Sequence, residues 1–109
     1  MARIQVLVDD LMLQSKVAET LQACGHEPRV GGEPGADVEL IVADIDAIDL
    51  SAVAAAAPPK LGFHPHTEPE KREAAEAAGF DRVVPRSRMA RELPDLVAAL
   101  LAEAPDATR

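Results

Sequence analysis

Asp9 and Asp10 stand side by side where the short apolar run IQVLV ends, and Asp44 and Asp46 follow a second such run, VELIVA. Adjacent carboxylates repel, and each costs free energy if water is stripped from it without a partner. A cation, a ligand or solvent must therefore meet them. Two histidines, His64 and His66 in GFHPHT, and four arginines, Arg82, Arg86, Arg88 and Arg91, complete the chemistry-bearing residues. The histidine spacing places both on one side of an extended segment. Pro65 bends that segment, however, and no third ligand accompanies them, which argues against zinc.

The elements that must position these residues follow from pattern. Ile4–Val8 is apolar, β-branched and of strand length. Apolar residues at 13, 17, 21 and 24 predict a helix from about Leu11 to Cys24, stopped by Gly25. Cys24 falls on that apolar stripe and has no basic neighbour to activate it, so it is expected in the core. A weak strand is expected over 27–31, shortened by Pro28, and GGEPGAD at 31–37 is turn-rich with no helical pattern. Val38–Ala43 is the next strong strand, and Asp49 or Ser51 can cap a short Ala-rich helix that Pro58-Pro59 ends. Lys60–Phe63 is a short strand running into a loop that carries His64. Thr67 and Glu70 form a T-x-x-E capping box for a helix to Ala78, ended by Gly79. Asp81–Val84 is the last strand. RSRMAREL reads as a turn or irregular helical start, and Pro94 suits the first turn of a final helix running to about Glu103.

Short apolar strands alternating with helices imply a parallel sheet with helices on both faces. Ligands in such sheets sit beyond the carboxyl ends of the strands. Asp9, Asp10, Asp44 and Asp46 all fall there, so two strand ends would deliver carboxylates to one crevice. His64 is expected to cap that crevice with a charge that follows pH.

The totals set limits. A chain of 109 residues is one domain's worth, and its two aromatic residues, Phe63 and Phe80, leave the core to Val, Leu, Ile and Ala. A single cysteine excludes an internal disulfide and fits a reducing cytoplasm. No signal segment and no membrane span are visible. The net charge of −8 argues against nucleic acid or an anionic membrane as partner. That charge is uneven: residues 1–57 hold ten acids and three bases, residues 58–109 nine and eight. Within the second half, residues 82–91 carry the four arginines and no acid, and this basic patch could dock an acidic partner or neutralise the protein's own acids, Glu70 or Glu73 for instance. The loop after the first strand offers carboxylates where a nucleotide or flavin phosphate would need glycines and hydroxyls. No nucleophile–base arrangement supports a hydrolase, and no enzymatic activity is expected.

From IQVLVDD through VELIVADID to AAEAAGFDRVVPRS and the closing helix, the chain resembles the receiver domain of two-component response regulators. The resemblance implies a flavodoxin-like, three-layer α/β fold with five parallel strands in the order 2-1-3-4-5. The connection at 31–37 leaves the helix between strands 2 and 3 reduced or absent. The resemblance further implies Mg2+ held by Asp9, Asp10, Asp44 and the backbone carbonyl of Asp46, with Asp44 accepting a phosphoryl group. A hard cation takes oxygen ligands and offsets the charge a carboxylate must overcome to attack a phosphate.

Two positions depart from the pattern. His64 stands where the family places Ser or Thr, and Pro85 where it places Lys. Arg86 is next to that lysine position, but a one-residue shift along a strand points a side chain to the other face. The expectation is therefore a divergent, pseudo-receiver-like domain over residues 1–104 with a flexible tail at 105–109, stand-alone and cytoplasmic. It would bind a protein partner, a histidine kinase or another signalling protein, with phosphorylation optional or lost. The partner surface would be Arg82, Arg86, Arg88 and Arg91, on the face made by the last strand and the helices beside it. The chain would be a monomer, or a homodimer through that face. The alternative is a working phosphoacceptor using Asp44 in a Mg2+-dependent phosphorelay, and a small-ligand sensor using the same crevice is a third reading.

Overall fold

The computed structural model describes residues 2–64 and 69–103. Strand β1 (Arg3–Leu7) is followed by α1 (Leu11–Ala23), β2 (Glu27–Val30) and β3 (Leu40–Asp44). Then come α2 (Leu50–Ala54), β4 (Lys60–His64), α3 (Pro69–Ala77), β5 (Arg82–Pro85) and α4 (Arg86–Glu103). All strand pairs are parallel and the order is β2-β1-β3-β4-β5, as expected. Strand alternation sends Ile4, Val6, Val42 and Phe63 to one face, where they pack with Val17 and Leu21 of α1 and with α4. Ile41, Ala43 and Val83 face the other way, toward Val53 of α2 and Ala75 of α3.

No helix joins β2 to β3, as the turn-rich sequence implied. Its place is taken by a loop fastened to the buried side chain of Gln5. The Gln5 amide donates to the carbonyls of Gly31 (2.9 Å) and Glu33 (2.8 Å), and its carbonyl accepts from the Gly35 N–H (2.8 Å). Gly35 is obligatory there: its φ is +81°, and a Cβ would lie 2.8 Å from that of Ala56.

Helix α2 is only five residues long, capped by Asp49 rather than Ser51 through a 2.9 Å bond from the Ser51 N–H. Beyond it, the buried Lys60 ammonium donates to the carbonyls of Ala56 (2.7 Å) and Pro58 (3.0 Å), satisfying groups of the segment that leaves the helix. Burial holds Lys60 below the usual lysine range, although Asp81 opposes this.

Two expectations about the helices fail. The final helix begins at Arg86 rather than Pro94, and Pro94 lies inside it. A proline in a helix interior costs about 3 kcal/mol. Met89, Leu93, Leu96, Val97 and Leu100 form one continuous buried stripe, each contributing about 1.5–3 kcal/mol, and that total wins. Cys24 is exposed rather than in the core, because the helical path stops at Ala23. The Gly25 N–H bonds to Gln22 and the His26 N–H to Leu21, so position 24 has left the apolar stripe. Thr67 of the capping box lies outside the described residues. Its helix starts at Pro69, a residue suited to a first helical turn.

Candidate functional site

Asp10 is the N-cap of α1. Its Oδ1 accepts from the N–H groups of Met12 (3.0 Å) and Leu13 (3.1 Å), which are two of the donors any helix start leaves without partners. Its Oδ2 lies 3.5 Å from Nη2 of Arg86. The Leu13 N–H above all, helped by Met12 and Arg86, holds the Asp10 carboxyl below the usual range against desolvation. Asp9 is exposed beside it.

Asp44 closes β3 and is half-buried. Its Oδ1 accepts from the Asp46 N–H at 2.9 Å. Burial pushes the Asp44 carboxyl up, and the charges of Asp46 and Asp9 push the same way. The Asp46 N–H and the Arg86 guanidinium pull it back only in part. Asp46 in turn accepts from Nζ of Lys71 on α3 at 2.8 Å.

The structure thus brings Asp9, Asp10, Asp44 and Asp46 to one end of the sheet, and adds two cations among them. Arg86 reaches the crevice although the one-residue shift argued against it. Pro85 ends β5 and Arg86 opens α4, so strand alternation no longer governs where its side chain goes. Lys71 was missed; the available signal was its place in the first turn of a helix that follows a strand's carboxyl end.

His64 is not loop-borne. It is buried as the last residue of β4, and its register partner on β5 is Pro85, so the two departures from the family pattern are direct neighbours. His66 lies outside the described residues. The arginines do not form an unpaired basic patch. Arg82 pairs with Glu103 (2.8 Å), Arg88 with Glu92 (3.3 Å) and Arg86 with Asp10, while Arg91 Nε donates to the Ser87 carbonyl (3.4 Å). The partners of Arg82, Arg86 and Arg88 are acids of the chain itself, though not Glu70 or Glu73, and that of Arg91 is a backbone carbonyl.

Receiver domains typically bind Mg2+. The carboxylates as arranged do not fit that ion. Asp10 is committed to the helix cap and to Arg86, and Asp44 Oδ1 to the Asp46 N–H, while the Asp46 carboxylate, whose backbone carbonyl was the expected ligand, holds Lys71. Among the described residues, no three His, Cys, Asp or Glu side chains gather as metal ligands. Two clefts flank the site, one of about 190 Å³ beside Asp9 and Gln14 and one of about 380 Å³ beside Asp46, Ser51 and Lys71.

No family model matches the chain, and no curated relative does. Solved structures do. A CheY-like response regulator receiver domain protein from Methanospirillum hungatei superposes with a TM-score of 0.81 at 18% identity, over 95% of this chain and 96% of that one. The receiver domain of Francisella response regulator 1452 gives 0.79 at 14% identity, over 96% of this chain and 100% of that one. NtrX from Brucella abortus, in complex with ADP, gives 0.81 at 20% identity, over 94% of this chain. The chain spans only 26% of that NtrX chain. The fold is that of response-regulator receiver domains.

Proposed function

We propose that the chain is a receiver-like signalling domain that works by binding a protein partner in the cytoplasm, with phosphorylation at Asp44 lost or optional. The observation that carries this reading is the register pairing of His64 with Pro85. In the family pattern these strand ends supply a hydroxyl and a lysine to the phosphoryl group. Here one is a buried imidazole and the other a ring with no donor, and the cation next in sequence, Arg86, faces Asp10. Among the described residues no helix is long and apolar enough to cross a membrane.

A protein partner is further supported by Leu11 and Met12. They stand 73% and 85% exposed on the first turn of α1, beside Asp10. Arg82, Arg86, Arg88 and Arg91, on β5 and α4, would offer the same partner positive charge. The partner would be a histidine kinase or another signalling protein.

The test is labelling with acetyl phosphate. A lost charged donor costs about 1.5–3 kcal/mol of stabilisation, so labelling should be slow or undetectable. Rapid stoichiometric labelling that disappears in Asp44→Asn would establish the phosphorelay reading instead.

A further inference from the structure

We propose that Arg86 is the crevice's own cation: its guanidinium occupies the ground a divalent metal would take and competes with one for Asp10. The inference stands whether or not Asp44 accepts phosphate, because it concerns what neutralises the carboxylates and not what reacts with them.

Three observations carry it. The first is the chemistry at Asp10. One carboxylate oxygen is held by two backbone N–H groups, and the other lies 3.5 Å from the Arg86 guanidinium. Both oxygens of Asp10 therefore already have protein partners. A metal would have to share with the cap or displace the arginine.

The second is the position of Arg86 in the fold. Pro85 ends the last strand and Arg86 is the first residue of the 18-residue helix α4. Its base is thus anchored at a sheet-to-helix corner, and its reach to Asp10 spans 76 positions of sequence. Met89 and Leu93, one and two turns on, are buried and fix the rotation of the helix that presents it.

The third is that the same solution recurs on the other side of Asp44. Lys71 holds Asp46 at 2.8 Å, and Asp46 donates its N–H to Asp44. Protein cations thus stand at both flanks of the carboxylate group. A divalent cation entering between them would meet two like charges, and such repulsion falls off only slowly over a few ångströms at a partly desolvated site.

Removing the guanidinium should therefore create metal binding rather than abolish it. The experiment titrates Mn2+ into the wild type, Arg86→Gln and Arg91→Gln, reading bound Mn2+ by its paramagnetic signal and the melting temperature in parallel with Mg2+. Arg91→Gln removes the same charge from the same helix, but among the described residues its guanidinium bonds to the Ser87 carbonyl and to no carboxylate. It controls for the general change in field. Arg86→Gln should fold, since exposed ion pairs contribute only about 0–1 kcal/mol.

The expected result is an affinity for Mn2+ higher in Arg86→Gln than in wild type by roughly tenfold, about 1.4 kcal/mol, with Arg91→Gln close to wild type. Magnesium should raise the melting temperature of Arg86→Gln and leave that of the wild type little changed. The proposal is overturned if the wild type binds Mn2+ as tightly as Arg86→Gln, or if both substitutions raise affinity equally.

Discussion

The sheet face under α1 and α4 and the face under α2 and α3 are covered by different means. Beneath the first, long helices of 13 and 18 residues lay Val17, Leu21, Met89, Leu93 and Leu100 onto Ile4, Val6 and Phe63, with almost no polar group among them. On the second, α2 has five residues and α3 nine, each burying a single small residue, and the missing crossover helix is replaced by loop. That face closes with polar fastenings and close approaches. Gln5 staples the 31–37 loop, Lys60 ties off the end of α2, and Gly62 admits Phe80 and Ile45 to within 3.0 Å of where a Cβ would stand. Apolar packing covers a sheet when the helices are long enough. When they are not, directional bonds must hold the backbone that lies over the strands.

The largest expected effect sets the two faces against each other. Leu93 is 1% exposed on the thick face and Val53 is 1% exposed on the thin one. Leu93→Ala should cost about 2–5 kcal/mol in urea unfolding, and Val53→Ala less, in line with its smaller loss of about 0.8 kcal/mol per methylene. Equal losses, from fewer atoms removed at Val53, would mean that the thin face is the more tightly packed of the two.

The staple comes next. Gln5→Leu keeps the volume but removes two donors and an acceptor from the loop, leaving the carbonyls of Gly31 and Glu33 and the N–H of Gly35 to find water. Unsatisfied buried groups cost about 1–3 kcal/mol, and hydrogen exchange at Gly35 should speed up beyond the global loss. A variant as stable as wild type, with unchanged exchange, would show that the loop is held by other contacts.

The same contrast explains what the sequence disclosed. The apolar periodicity of α1 and the β-branched runs of β1 and β3 carry their own structural signal, and the sheet order followed from it together with the family resemblance. The start of α4 was misread because Pro94 fits a first helical turn locally. Only the tertiary stripe running back to Met89 shows that the helix must begin earlier. Gln5 did leave a mark, as the polar residue interrupting RIQVLV, but its partners lie 26 to 30 positions away and a one-dimensional pattern cannot supply them. At the crevice the acids were legible because they end apolar runs. The cations that meet them were not, because Lys71 and Arg86 reach the site from helix starts that only the assembled sheet places there.

The smallest effect sharpens the comparison at its polar extreme, the crevice where both faces meet. Asp44 has a folded pKa raised above its ordinary value of 3.8, chiefly by burial. Below that ordinary value the group is protonated in both states, and its contribution to stability is fully present. As pH rises through the folded pKa, the unfolded chain has already released its proton while the native state must still part with it, so stability is lost. Asp10 runs the other way. Its folded pKa is lowered, and its contribution is present above the ordinary value and lost as pH falls. Asp44→Asn keeps an acceptor for the Asp46 N–H and removes the charge. It should therefore be more stable than wild type at pH 7, by under about 1 kcal/mol because the site is only half-buried. The gain should shrink toward pH 4, where the wild-type carboxyl begins to hold its proton. Melts that show no gain at pH 7 would mean that Arg86 and the Asp46 N–H already balance the Asp44 charge, and a gain that grows on acidification that they outweigh its burial.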